Sequence, residues 1–144
     1  MRAAVILLGF ALGLASAQQR QEILDYKLTM ARADQLLAAL PAMTKYVLSL
    51  PDWQERIAKT AKMPPAERLA QIEKDPKAMA ILKQNNLTVK DYVFGVPALR
   101  MAIMVAQGVN LSNIYASPQN VAFAKAHLAE LKPKMDAADG ATKR

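Results

Sequence analysis

His127 is the only histidine of the chain and stands three residues before Glu130. On a helix that spacing can set an imidazole beside a carboxylate, the arrangement of a general base oriented by an acid. The same spacing is common on solvated helix surfaces. His127 also sits beside Phe123 at the flank of an apolar stripe, so a structural boundary histidine explains the pair more simply. A di-iron centre of the ferritin type needs Glu-x-x-His on paired helices; here the order is His-x-x-Glu and it occurs once. Cysteine is absent, which removes thiolate ligands, thiol catalysis and disulfides together. Gly-x-Ser-x-Gly, His-Glu-x-x-His and Ser-x-x-Lys are missing too, as is a glycine-rich phosphate loop. The expectation is a protein without enzymatic activity, cofactor or metal, the alternative being a hydrolase-type enzyme that uses His127 with Glu130.

Arg100 is the second chemically informative residue, because Val93 to Ala106 holds no other ionisable group. A cation in so apolar a segment needs a partner. The plain solution is an ion pair with a carboxylate such as Asp25, Asp34 or Glu130, or escape of the head to solvent. The functional solution is a receptor for an anion within an apolar pocket, where the planar guanidinium fixes the anion's orientation. Arg100, Tyr92, Met104, Tyr115 and His127 form the candidate ligand-binding set. If they surround one cavity, a ligand with an apolar body and an acidic head fits; if Arg100 is paired to a carboxylate, that reading falls away.

The seven methionines after Met1 are spread at helical spacing among apolar residues, and only Met101 and Met104 are near neighbours. Core filling accounts for them better than Cu(I) binding does. Arg56, Lys59 and Lys62 form a basic row that follows Trp53, a candidate contact for an anionic membrane or cell-wall polymer. The row has three charges and lacks a strongly apolar opposite stripe, so a solvated face is the simpler account.

The elements that must position these residues are helices. Alternating strand patterns joined by Asn-Gly or Asp-Gly turns are absent, the one Asp-Gly, Asp139-Gly140, having no such run on either side, while Ala, Leu, Lys, Gln and Met dominate. Ile23, Tyr26, Met30, Ala33, Leu37 and Leu40 recur at three- and four-residue spacing and predict one helix over Gln21–Leu40. Pro41 either kinks this helix or opens a second one through Leu50, and a break there is expected. Pro51, Pro64-Pro65 and Pro76 punctuate the middle into three short helices, with Asp75 as an N-cap. Thr88 and Asp91 form a capping box ahead of an apolar central helix, Val89–Gln107, closed by Gly108. Ser117-Pro118 starts a last helix whose stripe is Val121, Ala124, Leu128, Leu131 and Met135. The fold class is all-α, a compact bundle of about five to seven helices over residues 18–135, with 136–144 a disordered tail.

Charge and the N-terminus bound the setting. Nineteen Lys and Arg against twelve Asp and Glu give a formal net charge of +7, which favours anionic surfaces. The basic residues are scattered and no nucleic-acid-reading motif accompanies them, so nucleic acid is not an expected partner. Arg2, the apolar run Ala3–Leu14 and Ala15-Ser16-Ala17 read as a signal peptide over residues 1–17. The product is expected to be exported, periplasmic or secreted, and not transmembrane after cleavage. Tyr92–Leu111 is interrupted by Gly95, Pro97 and Arg100 and is too broken to span a bilayer.

Two segments, Leu87-Thr88-Val89-Lys90-Asp91-Tyr92 and Ser117-Pro118-Gln119-Asn120-Val121-Ala122-Phe123 ahead of His127 and Glu130, resemble an uncharacterised group of small exported helical bacterial proteins. The resemblance implies a periplasmic or secreted bacterial protein and transfers no functional residue. Together these readings lead to an exported helical protein that binds a small apolar or anionic ligand or a protein partner. An envelope protein resting on anionic membrane or cell wall through Arg56, Lys59 and Lys62 is the alternative.

Overall fold

The computed structural model describes residues 17–141. Residues 1–16, which carry most of the expected signal peptide, and residues 142–144 lie outside the described residues. The described residues form eight helices and no strand. These are α1 (Ala17–Asp25), α2 (Met30–Ser49), α3 (Trp53–Ala61), α4 (Pro65–Glu73), α5 (Pro76–Gln84), α6 (Val89–Ala106), α7 (Pro118–Ala126) and α8 (Leu128–Ala141).

Most boundaries follow local chemistry. A helix leaves its first backbone N–H groups without partners, and a short oxygen-bearing side chain supplies one. Thr29 accepts from Arg32 N, Asp75 from Lys77 N and Ala78 N, and Ser117 from Asn120 N. Thr88 accepts from Asp91 N while the Asp91 carboxylate accepts from Thr88 N, the reciprocal box the sequence predicts. Pro65, Pro76 and Pro118 occupy first turns, where a missing N–H costs nothing. Past the end of α6, Gly108 turns the chain with φ +89°, a conformation that suits a residue without Cβ.

Three expectations are corrected. The Gln21–Leu40 helix is interrupted at residues 26–29, where Asn120 from α7 donates to Tyr26 O at 2.6 Å and accepts from Leu28 N at 3.1 Å. That long-range clamp satisfies backbone groups that a continuous helix would satisfy itself. Pro41 does not end a helix: α2 runs through it, with Leu36, Leu37, Ala39, Leu40, Met43 and Thr44 buried on both sides. Packing of both halves outweighs the one backbone hydrogen bond that proline removes. The single last helix is two, divided at His127 (φ −118°, ψ 15°).

The segment assigned to a tail is also helical as far as Ala141. Met135 and Ala138 are buried there, which ties the last turns of α8 to the body. α6 occupies the centre: Phe94, Ala98, Leu99, Met101, Ala102 and Ile103 are buried against α1, α2, α7 and α8. Ile23, Leu36, Leu82, Leu99, Met101 and Leu131 are almost wholly withdrawn from water, each contributing about 1.5–3 kcal/mol by transfer. α3 is the exception, since none of its residues is buried.

Candidate functional site

One stripe of the central helix stays accessible. Tyr92, Val93, Val96 and Arg100 keep solvent-accessible area, although Phe94, Gly95 and the run Pro97–Leu99 between them are buried. The reason is a cavity of about 120 Å³ on that side of α6. Leu40 from α2, Ile72 from α4, and Val93, Val96 and Pro97 from α6 make its apolar walls. Gln19 from α1, Thr60 from α3, Arg68 from α4, and Tyr92 and Arg100 supply polar groups.

Tyr92 shows the character of the space. Its side chain retains accessible area, yet desolvation raises its phenol well above the usual range despite the opposing charge of Arg100. A side chain packed among protein groups that still borders the cavity has both properties. The phenol therefore stays protonated throughout the physiological range. Its hydroxyl makes no hydrogen bond to another described residue.

The two guanidinium groups at the cavity are already engaged. Arg100 donates from Nη2 to Asp139 Oδ1 at 2.7 Å and from Nη1 to Asp139 Oδ2 at 3.1 Å. The side chains of this pair are only 10% and 24% exposed. The plain solution to the Arg100 charge thus holds, with a carboxylate from the expected tail in place of Asp25, Asp34 or Glu130. Arg68 is 3% exposed, and burial lowers its guanidinium pKa from the usual value. It donates to Thr60 O at 3.1 Å and Met63 O at 3.4 Å, tying the α3–α4 turn to α4.

Of the five candidate residues, the structure brings Tyr92 and Arg100 together at this cavity. Met104, Tyr115 and His127 do not line it. Tyr115 is buried under the guanidinium of Arg20, 4.4 Å from its ring centroid, and its hydroxyl has no hydrogen-bond partner among the described residues. His127 caps α7 and packs on Phe123, with ring centroids 4.9 Å apart. Glu130 pairs instead with Lys134 at 3.0 Å. Among the described residues no group of three His, Cys, Asp or Glu side chains could hold a metal ion, and no helix is long and apolar enough to cross a membrane.

The basic row is exposed on and just after α3, but its field is diluted. Arg56 Nε pairs with Asp52 at 2.8 Å, and Glu55 lies in the same first turn. A wider recess of about 640 Å³ beside Lys62 and Pro64 adjoins the first described residues and opens to solvent. The smaller cavity is the better-formed site, because a ligand is held by enclosure and not by volume alone.

Sequence reasoning missed Arg68 and Ile72. Their four-residue spacing, just after the Pro64-Pro65 start signal, places both on one face of α4. Comparison of the chain with family models, with curated proteins and with solved structures returns no match, so the site is read from its own geometry.

Proposed function

We propose that this is an exported, non-enzymatic helical protein, periplasmic or secreted, that binds one small apolar molecule in the cavity beside α6. The observation that carries the reading is a partly open apolar cavity of about 120 Å³ between Leu40, Ile72, Val93, Val96 and Pro97 beside the central helix. Protein interiors have few voids larger than a water molecule, and a void costs stability in proportion to its size. Engineered apolar cavities of about 150 Å³ take up benzene or xenon, so the space suits a ligand of one ring or a short branched chain. An acidic head on the ligand is not part of this reading, because Asp139 holds the fork of Arg100.

The test is a titration of the purified protein with benzene, followed by NMR of the methyl groups of Leu40, Ile72, Val93 and Val96. Saturable shifts confined to those methyls are expected, and Val96→Phe, which fills the space, should abolish them. Shifts spread over the surface, or none, would overturn the proposal.

A further inference from the structure

Resting on the cavity being a binding site, we infer that its ligand is uncharged and carries a carbonyl-type oxygen, which accepts a hydrogen bond from the hydroxyl of Tyr92. The polar groups around the cavity differ in what they have left to offer. Arg100 gives two donors to Asp139, and Arg68 reaches the carbonyls of Thr60 and Met63. The Thr60 hydroxyl donates to Arg56 O at 2.6 Å, and Gln19 is engaged as well. The Tyr92 hydroxyl has no hydrogen-bond partner among the described residues, and Tyr92 is one of the residues that line the cavity. A phenol can donate and accept, but the guanidinium of Arg68, which also lines the cavity, favours the negative end of a ligand dipole. That orientation makes Tyr92 the donor.

Charge on the ligand is disfavoured in both senses. A carboxylate would leave water for apolar walls while Arg100 is already neutralised by Asp139, and an ammonium would meet the guanidinium of Arg68 with no Asp or Glu among the lining residues. A neutral ketone, ester or lactone of about one ring avoids both costs and satisfies the free hydroxyl. Tyr92 is then a specificity-determining residue, which discriminates a carbonyl compound from a hydrocarbon of the same size.

The test compares cyclohexanone with benzene, benzoate and cyclohexylammonium on wild type and on Tyr92→Phe. The expected result is that Tyr92→Phe weakens cyclohexanone about fivefold, the size of one neutral hydrogen bond, and leaves benzene within about twofold. The carbonyl stretch of bound cyclohexanone should lie at lower frequency in wild type than in Tyr92→Phe, a readout that altered packing alone does not reproduce. Equal weakening of both probes, an unshifted carbonyl stretch, or tighter binding of benzoate or cyclohexylammonium than of cyclohexanone would overturn the inference while leaving the cavity a binding site. Failure of benzene and cyclohexanone alike to bind wild type would overturn the site itself.

Discussion

Arg100 and Asp139, thirty-nine residues apart, meet through two hydrogen bonds of 2.7 and 3.1 Å. The pair joins the central helix to the last turn of α8 and neutralises the one charge in the most apolar segment of the chain. Removing one partner of a shielded pair leaves the other charge uncompensated, which is costly, whereas exposed pairs are worth little. Asp139→Asn should therefore lower stability by about 1–3 kcal/mol, below the cost for a fully buried pair because both side chains keep some exposure. Asp136→Asn, which breaks the exposed Lys132–Asp136 pair at 2.6 Å, should cost less than about 0.5 kcal/mol. Urea midpoints at a common pH measure both; equal losses would show that the Arg100 pair is no more shielded than a surface one.

Gly95 is buried in α6 where Tyr26 and Leu36 cross it. A Cβ there would lie 3.0 Å from Leu36 Cδ1 and 3.0 and 3.1 Å from two carbons of the Tyr26 ring. Alanine gains about 1 kcal/mol of helix propensity, but overpacking costs about 1–3 kcal/mol when neighbours cannot retreat. The Tyr26 ring is held by its hydroxyl, which donates to Asp91 at 3.0 Å. Gly95→Ala should thus be destabilising, by about 1 kcal/mol after the two terms are combined. Thermal or urea unfolding checks the sign, and a stabilised variant would mean that Tyr26 yields freely.

Acid should weaken the fold through Asp91. Burial raises its pKa, but the backbone and hydroxyl of Thr88, the hydroxyl of Tyr26 and the charge of Arg32 together outweigh burial and hold it below the usual carboxylate value. A carboxyl whose folded pKa is depressed adds stability that is present above its unfolded value, about 3.9. That stability is lost as pH falls through the lower folded value. Asp75, whose pKa is also lowered while it caps α5 and accepts from Tyr46 at 2.6 Å, adds in the same sense. Unfolding free energy should fall steeply below pH about 4, and Asp91→Asn should flatten that fall. An unchanged slope in the variant would assign the acid sensitivity to other groups.

Much of the architecture was legible locally. Thr88 with Asp91, Asp75 with Pro76 and Ser117 with Pro118 announce their helices through side chains that serve backbone groups two or three residues away. What stayed hidden depends on distant partners. Nothing near residues 26–29 in the sequence shows that Asn120 will replace their helical hydrogen bonds, and nothing near 136–141 shows that Arg100 waits for Asp139. The site divides the same way: Tyr92 and Arg100 are found from an apolar helix with a charge in it, whereas Arg68 looked like one more cation in a polar middle segment. Only the packing of α4 on α6 turns it toward the cavity.

The most direct measurement is crystallographic, on crystals pressurised with xenon, an apolar probe that seeks enclosed space. A single anomalous peak between Leu40, Ile72 and Val96 in wild type, absent in Val96→Phe, is the predicted result. A wild-type map with no xenon at that position, with the walls of the cavity closed on one another, would contradict the account.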